Sequence, residues 1–172
     1  MRVRVQPAMT PLDAIDRELL EVLQRDSKVP LAKLGEQVGL SAPSVLERIR
    51  KLEAAGVITG YHAAVDGRRV GLDITAFIGI SINYPRDIDQ FLGEISEWPE
   101  VLECHHVTGG HTLLLKIKTR NTASLEHLIS SLRRVECVTQ TETMVVLSTA
   151  TERARVPILE GASESDQKRR RR

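Results

Sequence analysis

The chain has 172 residues, 41% of them hydrophobic, with 24 Lys and Arg against 23 Asp and Glu for a net charge of +1. That length buries one substantial core or two small ones, and the balanced charge excludes a global basic field, so a polyanion would have to be met by a local patch. No apolar run approaches the roughly 18 residues of a membrane helix, and residues 1–11 lack the apolar centre of a signal peptide, which predicts a cytoplasmic protein with no membrane partner.

Residues 1–11 read as a loose arm, in which Met9 is a second candidate start. Residues 12–25 carry Leu12, Ile15, Leu19, Leu20, Val22 and Leu23 at helical spacing. Asp13 and Asp16 fall in the first turn, where the helix dipole favours negative charge. Pro30 opens a second helix bearing Leu31, Leu34 and Val38, and Gly39 ends it because glycine tolerates the left-handed conformation of a helix C-terminus. Ser41 is the N-cap of a third helix, with Pro43 in its first turn, where a missing N–H is harmless. Val45, Ile49 and Leu52, at i, i+4 and i+7, form its buried face, and Gly56 stops it. Two helices joined by a short glycine turn make a helix-turn-helix. Val57 and Ile58 then begin a strand predicted over 57–65, which would add a wing.

On the third helix the face opposite the apolar one carries Ser44, Glu47 and Lys51, flanked by Arg48 and Arg50. With Ser41 at the helix start, these six are the candidate DNA contacts. Arg and Lys suit phosphates and guanine edges, Glu accepts from cytosine, and Ser is permissive. A charged stripe by itself is most often a solvated face; the turn, the cap and the strand after the helix favour DNA.

Asp66 and Gly67 start a connection, 67–71, that contains Arg68 and Arg69. From Leu72 the periodicity changes, and 72–83 alternates like a strand with one buried face. Residues 86–97 read as a helix with Ile88, Phe91, Leu92 and Ile95, closed by Trp98 and Pro99. Residues 100–108 and 111–118 read as strands joined at Gly109 and Gly110, a hairpin signal. Residues 121–134 form a helix capped by Asn121 or Thr122, and 138–148 form a last strand. The order β-α-β-β-α-β is the split βαβ of a ferredoxin-like domain, which places the second and fourth strands at opposite sheet edges. The predicted fold class is therefore α+β: an N-terminal winged helix-turn-helix domain, 12–66, joined to a C-terminal ferredoxin-like βαββαβ domain, 72–149. Residues 150–172 are polar and read as disordered, with a basic end at Lys168–Arg172 that is more simply a solvated tail than a phosphate contact.

Charge is distributed unevenly. Residues 12–66 hold 7 Lys and Arg against 9 Asp and Glu, and residues 72–149 hold 6 against 10, so both predicted domains are acidic and the surplus of cations lies outside them. Cys104 and Cys137 are far apart and in no CxxC arrangement, which predicts small buried hydrophobes in a reducing compartment. His105, His106 and His111 surround the hairpin, but adjacent strand residues face opposite ways and no acid or cysteine stands at metal spacing. Neither a metal nor another cofactor is expected.

LDAIDRELLEVLQRD at 12–26, VGLSAPSVLERIRKLEAAGVITGY at 38–61, GLDITAFIGISI at 71–82, VLECHHVTGGHTLLLKI at 101–117 and VECVTQTETMVVL at 135–147 together resemble the leucine-responsive regulator/AsnC (feast/famine) family of prokaryotic transcription factors. The resemblance spans about residues 12–148 and joins two unrelated halves in the right order. It implies a transcriptional regulator, dimeric or a higher oligomer of dimers, whose assembly or DNA affinity shifts when an amino acid or related metabolite binds between sensing domains. A four-stranded sheet with helices on one face leaves an apolar face open; pairing two such faces makes a dimer and predicts a pseudo-palindromic operator with half-sites roughly one helical turn apart.

The resemblance also locates an effector site at Thr108, Gly109, Gly110, His111 and Thr112, with Thr141 and Thr143 of the last strand facing the same cleft. The family loop reads valine-threonine-glycine, two variable residues, then aspartate; Thr112 stands where that acid is expected, so a ligand ammonium would find only neutral hydrogen bonds there. Threonines on the last strand also suit ordinary β-propensity. Two other readings stay open. One is an enzyme resembling sirohaem decarboxylases, although His62 is followed by Ala63 and the strand at 72–83 has no tryptophan. The other is a metabolite-sensing partner without DNA binding.

Overall fold

The computed structural model describes residues 10–83 and 88–159. Most of the predicted arm with Met9, the start of the helix at 86–97 and the end of the tail lie outside the described residues. The chain divides into two compact units, one spanning Ala64–Thr151 and the other joining the segment up to Ala63 to the segment from Glu152.

In the N-terminal unit, α1 (Ala14–Arg25) begins with a reciprocal cap. The Asp13 carboxylate accepts from the Asp16 amide at 2.8 Å, and the Asp16 carboxylate accepts from the Asp13 amide at 3.3 Å. Helix α2 (Leu31–Val38) ends at Gly39, where φ is 68°. The Leu40 amide also turns back to the Gly35 carbonyl at 2.9 Å, which closes the turn tightly. Helix α3 (Ala42–Ala54) starts from the Ser41 cap with Pro43 in its first turn, as the sequence predicts. Leu19, Leu34, Val45 and Ile49 form the core, with Ile15, Val22, Leu23, Val38, Leu40 and Ile58 packed against it. The helices thus bury the apolar faces that their spacing set out.

Two expectations are corrected in this unit. No strand forms over 57–65. The amides of Val57 and Ile58 instead bond back to the Leu52 carbonyl at 2.9 and 3.2 Å, finishing α3. The exposed residues that follow have no neighbouring strand to ladder with among the described residues, and a strand without a partner leaves its backbone to water. The unit is a three-helix helix-turn-helix without a wing. The tail is not wholly loose either: the Gln24 side-chain amide donates to the Val156 carbonyl at 3.1 Å, and the Val156 amide donates to Gln24 Oε1 at 2.8 Å. One side chain thereby satisfies both backbone groups of a residue 132 positions away.

The other unit opens with a short 3-10 turn, Gly67–Val70. It continues through β1 (Ile74–Ile82), α4 (Ile88–Ser96), β2 (Val101–His106), β3 (Leu113–Thr119), α5 (Thr122–Arg134) and β4 (Val138–Val145). The antiparallel sheet has the order β2-β3-β1-β4, so β2 and β4 are the edges, as the βαββαβ reading requires. Asn121 is the α5 cap: its side chain accepts from the Ser124 amide at 2.9 Å. Ala76, Ile78, Ile80, Leu113, Leu115 and Ile117 point to one face, where Phe91, Ile95, Leu125, Leu128 and Leu132 of the helices cover them. Cys104 and Cys137 are half-buried against this core and form no disulfide; burial pushes the Cys104 thiol above its usual value.

The opposite sheet face is open but less apolar than expected. Phe77 lies between Lys116 and Met144, and Gly79 lies between Leu114 and Glu142. Glu103, across from Lys116, bonds that ammonium at 3.2 Å and the His105 ring at 3.0 Å. Phe77, Leu114 and Met144 are an apolar centre inside a charged surround.

Candidate nucleic-acid interface and ligand site

The six residues singled out on the third helix do not share one fate. Ser41 is used locally: its hydroxyl caps the Ser44 amide at 3.4 Å and meets the Ser44 hydroxyl at 2.9 Å. Ser44, Glu47 and Lys51 are exposed along the face opposite Val45, Ile49 and Leu52. Lys51 and Glu47 pair at 2.9 Å, in the favourable order with the acid one turn before the base. That hydrogen bond, then the ammonium charge, holds the Glu47 carboxyl below its usual value. Arg50 is exposed on the flank and makes no ion pair with a described residue.

Arg48 departs from the expectation. Its Nη1 donates to Asp13 at 2.7 Å and to Asp16 at 2.8 Å, so the guanidinium is turned onto the α1 cap. These two hydrogen bonds, Asp13 first, raise its pKa above the usual value. Arg48 therefore positions α3 against α1 rather than reaching outward. No local signal marks this, because the partners lie 35 and 32 residues away. Between the two helices runs a groove of about 500 Å³, lined by Leu12, Asp16, Ser44, Glu47, Arg48 and Lys51 among others.

The Asp13 carboxyl sits below its usual 3.8, first because the Asp16 amide donates to it and then because Arg48 does. An acid whose folded pKa is depressed adds stability that is present above the unfolded value and is lost as pH falls through the folded one. Acidification below about pH 4 should loosen this unit. Arg48→Met should flatten that part of an acid-unfolding curve followed by circular dichroism. A curve of unchanged shape would show that the ion pair carries no pH-linked stability.

At the β2–β3 hairpin the loop 107–112 is pinned to β1. The Thr112 amide donates to the Ile80 carbonyl at 2.8 Å, its hydroxyl accepts from the Ile82 amide at 3.3 Å, and its carbonyl accepts from the Val107 amide at 3.1 Å. The Gly110 carbonyl accepts from the Ser81 hydroxyl at 3.4 Å. Thr108 and Gly109 are exposed, Gly109 with φ 117°. The His111 ring lies directly over Gly79, where any side chain would collide with it, and its Nε2 meets Glu142 at 2.9 Å. Nδ1 of the same ring is buried without a hydrogen-bond partner.

Thr141 and Thr143 are not on this side of the sheet. They pair with Ile80 and Ile78, whose side chains point under the helices, and the Thr141 hydroxyl accepts from Arg133 Nε of α5 at 2.9 Å. Strand alternation sends Glu142 to the open face instead, where its carboxylate meets the His111 ring. Among the described residues no group of three or more His, Cys, Asp or Glu could hold a metal ion, and no helix is long and apolar enough to cross a membrane.

Residues 12–53 match the AsnC-type helix-turn-helix domain, and residues 75–156 match the Lrp/AsnC ligand-binding domain. The leucine-responsive regulatory protein of Rhizobium meliloti is 36% identical over 161 residues, which is 92% of this chain and 100% of that relative. The structure of Escherichia coli AsnC superposes with a TM-score of 0.80 at 30% identity, covering 86% of this chain and all of the other. A transcriptional regulator from Neisseria meningitidis in complex with L-Met gives a TM-score of 0.82 at 30% identity, over 86% of this chain and 97% of the other.

Proposed function

The chain belongs to the Lrp/AsnC family of transcriptional regulators, and from that premise we propose that it binds a pseudo-palindromic operator as a homodimer or a larger assembly of dimers, with a small metabolite setting its assembly or affinity. The observation that carries this reading is the exposed stripe Ser44–Glu47–Lys51, with Arg50 beside it, on the second helix of a tightly closed helix-turn-helix. These four meet DNA; Ser41 caps the helix and Arg48 sets its angle. The work is regulation rather than catalysis, in line with the names of its relatives. It takes place in the cytoplasm.

The effector is an amino acid or a close analogue, a reading supported by the L-Met bound to the Neisseria regulator. Thr108, Gly109, Gly110 and His111, with Glu142 alongside, form its candidate site; Thr112 serves by anchoring the loop. Phe77, Leu114 and Met144 on the open sheet face support pairing with a second copy, since that apolar centre is otherwise left to water.

Titration on DNA upstream of its own and neighbouring genes, at two salt concentrations and with a panel of amino acids, tests the reading. Selective, salt-sensitive binding that shifts with one amino acid is expected; absence of selective binding to any fragment, including fragments selected without bias, would overturn it. Changing Arg50→Ala and Lys51→Ala together should weaken binding to all sequences alike and lower the salt slope by about one for each phosphate no longer neutralised. An unchanged slope would remove these cations from the interface.

A further inference from the structure

We propose that Glu142, aimed by His111, is the counter-charge for the effector's ammonium, so that the site selects ligands by their positive charge. The inference rests on the effector reading above and names the group that decides which ligands that site accepts. Thr112 is already engaged: its hydroxyl accepts from the Ile82 amide at 3.3 Å, and its amide and carbonyl close the loop on Ile80 and Val107. A neutral hydroxyl also offers an ammonium a weaker bond than a carboxylate does. Glu142 lies on the open sheet face beside that loop, in register with Gly79 of the interior strand β1.

The sheet is shaped to hold this pair. Glycine weakens a strand interior and marks a place where another group must come close; at Gly79 that group is the His111 ring, which a β-carbon would strike. The loop carrying the ring is fixed to β1 by Thr112 and by the Ser81 hydroxyl, which donates to the Gly110 carbonyl at 3.4 Å. From there His111 Nε2 meets Glu142 Oε2 at 2.9 Å. With the proton on Nε2 the ring donates to the carboxylate, and Nδ1, buried and without a partner, carries the lone pair. In that form the ring orients Glu142 without cancelling its charge. No lysine or arginine among the described residues pairs with Glu142, which is more than half exposed. Glu103 on the same face is different, being taken by Lys116 at 3.2 Å and by His105 at 3.0 Å. At the same hairpin the backbone amides of Thr108, Gly109 and Gly110 are exposed and make no hydrogen bond with a described residue. They suit the ligand's carboxylate, so an amino acid finds a partner for each of its charges.

The test is calorimetric titration of the full chain with the L-amino acids and with the 2-oxo acid matching each. An amino acid should bind, and its 2-oxo acid, alike in carboxylate and side chain but without the ammonium, should bind far more weakly. Glu142→Gln keeps the shape of the side chain and an acceptor for His111. It should lower affinity for the amino acid about ten- to a hundredfold, the worth of one charge-assisted bond, and leave affinity for the 2-oxo acid unchanged or raised. His111→Leu should also weaken binding of the amino acid, with no further loss in the Glu142→Gln background, because the ring acts through that carboxylate. Unchanged amino-acid affinity in Glu142→Gln sinks the proposal while the effector reading stands. Equal losses for the amino acid and its 2-oxo acid would also sink it, by showing that Glu142 acts through the fold. An unaltered chain that binds none of the amino acids would overturn this proposal and the amino-acid reading together, and the operator titration would still judge DNA binding by itself.

Discussion

Leu19→Ala should destabilise the helix-turn-helix unit by about 2–5 kcal/mol. Leu19 of α1 is fully buried and sits among Leu34 of α2 and Val45 and Ile49 of α3. Truncation removes its packing against both other helices and leaves a cavity that a unit this small has few side chains to refill. A domain of about 55 residues has a total stability on the order of 3–8 kcal/mol, so the loss is comparable with the whole. The sheet unit has its own core, which shares no residue with this one. Thermal unfolding should therefore show the helical transition lowered or lost while the sheet transition stays, and DNA binding should disappear with the former. A single transition at the original temperature would refute the independence of the two cores as well as the size of the effect.

Gly35→Ala should open the turn between α2 and α3. A β-carbon at Gly35 would collide with the Leu40 carbonyl oxygen, which is main chain and cannot rotate away as a side chain can. The Leu40 amide is bonded to the Gly35 carbonyl at 2.9 Å, so relieving the clash also strains that bond and lifts Leu40 from the core. Overpacking of this kind costs about 1–3 kcal/mol or more. Gly39→Ala is the instructive comparison. Gly39 has φ 68° with open space around it, so its substitution meets only left-handed strain, roughly 1–2 kcal/mol. Chemical denaturation of both variants should rank Gly35→Ala as the more damaging, and it alone should lose DNA binding at temperatures where the unit remains helical. The opposite ranking would mean that backbone conformation, rather than the close approach at Leu40, governs the turn.

The elements were legible wherever the signal is local. Ser41, Gly39 and Asn121 announce helix ends through their own side chains or lack of one, and the spacing of Val45, Ile49 and Leu52 states which face is buried. The chain order of strands and helices was enough to place β2 and β4 at the sheet edges. Legibility stopped where distant residues choose between local options. Residues 138–145 alternate cleanly, but alternation offers two faces, and only pairing with Ile78 and Ile80 sends Thr141 and Thr143 beneath the helices and Glu142 outward. Arg48 looked like its neighbours Arg50 and Lys51 because nothing near it in sequence reveals Asp13 and Asp16 as partners. Val57 and Ile58 have strand propensity but their amides are claimed by Leu52. The tail has the composition of a loose segment, yet Val156 is bonded through both its backbone groups to a glutamine early in the chain.

That attachment changes how the molecule is partitioned. The chain leaves the helical unit at Ala63 and re-enters it at Glu152, so the sheet unit is an insertion within the other rather than an appendix to it. Exchange of sensors between such proteins would accordingly take residues 64–151 as a cassette with two splice points. A chimaera with a single junction after the third helix would inherit the incoming protein's C-terminus and leave Gln24 facing a segment it was never matched to.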